Sequence, residues 1–171
     1  IDPSLTYGSP PYVSACCAFD ALCQAIESFW SVGATLDSQK YAKEAIILLK
    51  NNMIKAINLD CIESRNKLSE GAYLAGKAIN ISKTTAPHAL SYSLTSNFSI
   101  PHGHAVALTL GYFFEINELN KTKINVSKSV NLVELKNNIT EIKTLLGWSK
   151  YNFLSEWRQL MIECGLYTHI K

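Results

Sequence analysis

The chain has 171 residues, 47% of them hydrophobic and 18% charged, with a net charge of +2. That length and balance suit one globular domain with a real core, and the near-neutral charge removes the electrostatic case for nucleic acid or an anionic membrane surface. No apolar run approaches the roughly eighteen residues that a transmembrane helix needs.

The opening IDPSLTYGSPPY lacks the basic and apolar regions of a signal peptide. Its prolines and glycine predict irregular structure over residues 1–13. The five cysteines are odd in number and contain no Cys-x-x-Cys pair. Neither a disulfide framework nor a thiolate zinc site is expected, and a reducing cytoplasm fits best. From Ser14 the pattern turns helical. SACCAFDALCQAIESFW carries apolar residues at Phe19, Leu22, Cys23, Ile26 and Trp30, the 3.6-residue spacing of an amphipathic helix. Ser14 is a candidate N-cap and Gly33 a stop.

A second helix is expected after Asp37, a good N-cap, running to about Asn58. A third covers 62–81, where Gly71, Ala72, Ala75, Gly76 and Ala78 form a small-residue face. Glycine inside a helix costs about 1 kcal/mol relative to alanine, so close approach of a neighbour or a ligand is the expected compensation. A fourth helix starts near Pro87, well placed in a first turn, and ends before Asn97. A fifth follows Pro101 through HGHAVALTLGYFFEINEL, apolar on nearly all sides and therefore central. A polar stretch over 120–131 precedes two last helices, 132–146 and 151–164. No alternating strand pattern of useful length occurs, so the fold class is all-α, a multi-helix bundle.

Three of the four histidines lie between Ala86 and Gly111: His88, His102 and His104. His88 opens one helix and His102 the next, each behind a proline, so both can face the same space. Asp20 sits among Phe19, Ala21, Leu22 and Ile26. A carboxylate near an apolar face needs a partner, because burying it alone costs several kcal/mol. One carboxylate and two imidazoles suit a divalent transition ion with positions left open for chemistry. By spacing alone, packed core histidines and a surface carboxylate explain these residues equally well.

FDALCQAIES (19–28), EGAYLAGKAIN (70–80) and PHALSYSLTSNFSIPHGHAVALTLG (87–111), in that order, resemble the helical domain of the iron-containing, group III alcohol dehydrogenases. The resemblance covers residues 1–115 well and the tail weakly. It implies the dehydroquinate synthase-like helical fold and places Asp20, His88 and His102 on metal-ligand positions. The family's remaining ligand, a histidine four residues after the aspartate, is Gln24 here. A glutamine carbonyl is a weaker donor than imidazole, which bears on affinity and on Fe2+, implied first, against Zn2+ or Mn2+. A second family histidine near the substrate is Tyr92 here, a poorer base near neutrality but able to relay a proton. The resemblance further implies reduction of an aldehyde to an alcohol by NAD(P)H, with no nucleic-acid or membrane partner and with homo-oligomerisation open.

Within that family, SKTTAPHALSY and IPHGHAVALTLG are most similar to the reductases that convert phosphonoacetaldehyde to 2-hydroxyethylphosphonate. Lys83, Thr84 and His104 could then supply a cation and donors to a phosphonate. Alternatively Lys83 is a solvated loop lysine and Thr84–Thr85 caps the next helix. The chain holds no glycine-rich loop after a strand, so the family's nucleotide-binding domain is expected to be absent and the isolated chain inactive. A non-catalytic metal-binding or oligomerisation domain is the alternative reading.

Overall fold

The computed structural model describes residues 1–119 and 131–170; most of the polar stretch expected at 120–131 lies outside them. Among the described residues the structure is entirely helical. A 3-10 turn, Pro3–Thr6, precedes α1 (Pro11–Trp30), α2 (Leu36–Asn58), α3 (Ile62–Ser82), α4 (Ala86–Phe98), α5 (His102–Leu119), α6 (Leu132–Leu145) and α7 (Phe153–Glu163). No helix among them is long and apolar enough to cross a membrane.

The first helix begins earlier than its sequence suggests. Pro10 is the N-cap and Pro11 the first residue of α1, because a proline in the first turn gives up an N–H that has no helical partner. Ser14 is therefore buried inside the helix rather than capping it. The segment before it is also ordered. The buried Arg65 guanidinium donates to Thr6 O at 2.8 Å, Ser9 O at 3.2 Å and Ser14 Oγ at 3.2 Å, and pairs with Asp60. At α2 the cap is Thr35, not Asp37: Thr35 and Ser38 form a reciprocal capping box.

The core is built on α1. Helices α2 and α3, joined by a short turn, pack against it from one side, α5 from another, and α6 bridges α1, α2 and α5. Phe19, Leu22 and Ile26 of α1 meet a layer that includes Ile46, Leu49 and Met53 of α2 and Leu110 and Phe114 of α5, all buried. Helix α7 closes the far side, with Trp157 edge-on to Phe19 and its indole N–H donating to Ala107 O at 2.8 Å.

The small-residue face of α3 divides. A Cβ on Gly71 would lie 2.8 Å from Leu49 Cγ, so that glycine admits α2. Gly76 has open space around it, and Ala72 is exposed; neither serves a close approach within this chain. The exit from α3 is strained: Lys83, its C-cap, has φ +65° and ψ 172°, a region that glycine occupies far more readily.

Candidate metal centre

Asp20, Gln24 and Glu27 follow one another at i, i+4 and i+7 along α1 and share a face. His88 stands in the first turn of α4 and His102 is the first residue of α5. Pro87 and Pro101 hold those entries. Bringing α5 onto α1 at this point requires Gly103: a Cβ there would lie 2.8 Å from the Cys16 carbonyl carbon and 2.9 Å from Asp20 Cβ, and would overlap the Cys16 carbonyl oxygen.

The result is a convergence of three ligand atoms. His88 Nε2 lies 3.3 Å and His102 Nε2 3.6 Å from the same atom, Asp20 Oδ1. Asp20, His88 and His102 each offer one donor atom within 4.8 Å of the others. Asp20 Oδ1 and His88 Nε2 are buried and make no hydrogen bond; they stand within ion-pair distance but outside hydrogen-bond geometry. Two buried polar atoms left unpaired against each other are costly, and a cation between them removes the cost. One carboxylate oxygen and two imidazole nitrogens are a donor set for a divalent transition ion. The residues fit such an ion.

The rings are aimed by their other nitrogens. Ser91 Oγ donates to His88 O at 2.7 Å, so it faces His102 Nδ1, 3.3 Å away, as an acceptor. That leaves the His102 Nε2 lone pair toward Asp20. His88 Nδ1 lies 2.6 Å from Glu27 Oε1. Burial pushes the His88 pKa down, but the neighbouring carboxylates of Asp20 and Glu27 outweigh it and raise the value to about 9. The pocket therefore favours positive charge.

The remaining sequence candidates separate. Gln24 Nε2 donates to Asp20 Oδ2 at 3.0 Å, which steadies the carboxylate and leaves Oδ1 for the centre. Tyr92 is exposed, its ring stacked on His102 at a centroid distance of 5.4 Å. Lys83 is exposed and its ammonium donates to Asn80 O at 3.2 Å, the solvated-loop arrangement. Thr84 is half-buried beside it. His104 is fully buried away from the centre: Nε2–H donates to Tyr167 O at 2.7 Å, and Nδ1 accepts from the Tyr12 hydroxyl at 3.0 Å. Burial lowers its pKa, which the Tyr167 carbonyl partly opposes. Both its nitrogens are engaged in the core.

Glu27 is the residue that the site-by-site reading of the sequence passes over. It is fully buried, and its second oxygen accepts from the Thr85 backbone N–H and from Thr85 Oγ1. The available signal was its place seven residues after Asp20, on the same helical face. Beside the centre, a cleft of about 310 Å³ opens between α1 and α5, lined by Tyr12, Val13, Cys16, Cys17, Asp20, Pro101, His102 and Gly103, with no lysine or arginine.

Residues 14–156 match the model of the Fe-containing alcohol dehydrogenase family, C-terminal. The chain belongs to this family. The long-chain-alcohol dehydrogenase 1 of Geobacillus thermodenitrificans is 38% identical over 113 residues, which cover 66% of this chain and 29% of that protein. The phosphonoacetaldehyde reductase of Streptomyces viridochromogenes is 32% identical over 117 residues, 67% of this chain and 29% of that protein. Among solved structures, the sulfoacetaldehyde reductase of Bifidobacterium kashiwanohense in complex with NAD+ superposes with a TM-score of 0.82 at 32% identity, over 99% of this chain and 42% of that one. The chain thus spans well under half the length of these iron-type dehydrogenases. Membership agrees with the all-helical fold, the domain expected from the residues around Asp20, His88 and His102.

Proposed function

We propose that this domain carries the divalent-metal centre of an alcohol dehydrogenase that reduces a small aldehyde with NAD(P)H. The observation that carries the reading is the pair of buried, unpaired atoms Asp20 Oδ1 and His88 Nε2, with His102 Nε2 facing the same oxygen. In this reading Asp20, His88 and His102 hold the ion, and Gln24 steadies Asp20 through its Oδ2. A divalent ion bound there supplies Lewis acidity toward a carbonyl oxygen. Tyr92, stacked on His102 and open to solvent, is the candidate to pass a proton to the product oxygen, directly or through water. The cleft between α1 and α5 would take the substrate's apolar part.

Relatives named for phosphonoacetaldehyde and sulfoacetaldehyde make these two aldehydes the first to assay. Lys83 and His104 do not support anion binding in this chain, since one bonds its own helix end and the other sits in the core. A phosphonate or sulfonate would find its cation outside these two residues. The glutamine at position 24 favours a second reading, a non-catalytic metal-binding domain, because it leaves the centre with three strong ligands.

The test is metal content and affinity. Protein purified without chelator should carry about one Fe2+, Zn2+ or Mn2+ per chain, and His88→Ala or Asp20→Asn should lose it in competition against a chelator at fixed pH, because imidazole ligation is coupled to deprotonation. Parent and variants binding equally would sink the metal reading.

A further inference from the structure

We infer that Glu27 is a positioning residue for the metal centre: its buried carboxylate holds the His88 ring through Nδ1, so that Nε2 faces Asp20. The inference rests on the proposed metal centre.

The Thr85 backbone N–H can only donate, and it points at Glu27 Oε2. The Trp30 indole N–H can only donate, and it reaches Thr85 Oγ1 at 3.0 Å. With its lone pair engaged by Trp30, the Thr85 hydroxyl turns its own proton to Glu27 Oε2, 2.7 Å away. Glu27 Oε2 thus accepts twice. At 2.6 Å, Glu27 Oε1 is then placed to accept from a His88 Nδ1–H. A histidine that donates through Nδ1 leaves Nε2 for a metal, and here Nε2 is the atom 3.3 Å from Asp20 Oδ1.

Two further features fit. Glu27 is fully buried, where a carboxylate needs partners on both oxygens; it has three. Its position just before the first turn of α4 also meets the positive end of that helix. One carboxylate on α1 therefore fixes the entry of α4 and the ring that α4 carries.

Glu27→Gln separates this role from a purely structural one. A glutamine oxygen can accept from His88 or from the Thr85 N–H, but its NH2 then faces the donor that remains. Zn2+ affinity, measured against a chelator, should fall about 10–100-fold, and the visible spectrum of the Co2+-loaded protein should shift as the His88 ring loses its orientation. A Glu27→Gln protein that melts lower but binds Zn2+ as the parent does, with an unchanged Co2+ spectrum, would overturn the inference. If that variant does not fold, histidine 15N NMR of the Zn2+-loaded parent decides. A protonated Nδ1 and a zinc-bound Nε2 on His88 support it, and the reverse refutes it. His88→Ala retaining metal would instead remove the underlying centre, so the two failures are distinguishable.

Discussion

Gly103→Ala should damage the proposed metal centre. The new Cβ would stand 2.8 Å from the Cys16 carbonyl carbon and 2.9 Å from Asp20 Cβ, against an ordinary contact limit near 3.4 Å, and it would overlap the Cys16 carbonyl oxygen. The obstruction on α1 is mostly backbone, which cannot rotate aside. Helix α5 must therefore back away by at least about half an ångström. Overpacking of this kind costs about 1–3 kcal/mol of stability, and for a domain of this size each kcal/mol lowers Tm by roughly 2–4 °C. The centre suffers further, because metal–ligand distances tolerate only about ±0.2 Å. His102 rides on α5 next to Gly103, and Asp20 is one of the groups struck. Metal affinity should fall at least tenfold, about 1.4 kcal/mol. The assay pairs thermal melting with Zn2+ competition against a chelator. Gly111→Ala is the matched control: its Cβ would meet Leu154 Cδ1 at 2.7 Å and Trp157 Cδ1 at 3.1 Å, on the α7 side of the same helix. That variant should lose stability while keeping most of its metal affinity. If Gly103→Ala binds Zn2+ as tightly as the parent, the claim that this glycine sets the α1–α5 approach at the site is wrong.

Gln24→His adds an imidazole on the face that already carries Asp20 and should tighten metal binding about tenfold or more, near 1.4 kcal/mol; no gain in chelator competition would place residue 24 outside the ligand set. Lys83→Gly should raise Tm, since φ +65° at that position strains a side-chain-bearing residue by about 1 kcal/mol or more, and should leave metal affinity alone; a lower Tm would mean that the lysine side chain contributes more than the strain costs. The metal-loaded 171-residue chain by itself should oxidise no NAD(P)H above a metal-only blank with phosphonoacetaldehyde, sulfoacetaldehyde or simple aldehydes, because no strand or glycine-rich phosphate loop occurs among its described residues; turnover above the blank would refute this.

Helix periodicity was legible from one dimension because it is local. The apolar spacing of α1, the prolines ahead of His88 and His102 and the apolar girth of α5 each depend on a few neighbouring residues. They set the helix types, the central place of α5 and the arrival of two histidines at helix starts. Spacing alone left Asp20, His88 and His102 as readily core histidines and a surface carboxylate as a ligand set; the resemblance to a known domain singled them out. Helix starts were read less well. Pro10 and Pro11 looked like breakers but begin α1, since a proline in a first turn loses nothing.

The fate of each polar side chain belonged to the tertiary structure. His104 and His102 are two residues apart, yet one turns into the core between Tyr12 and Tyr167 and the other faces Asp20. A helix rotates by about 200° over two positions, and only the packed neighbours decide which side is wet. Glu27 reads as an ordinary helix carboxylate until α4 arrives to bury it against Thr85 and His88. Gly103 reads as a helix-weakening residue until α5 meets the Cys16 carbonyl. Sequence alone determined which groups could share a face. Which faces meet, and which charges must then find partners, follows from helix packing, because burial and its electrostatic cost exist only between elements brought together.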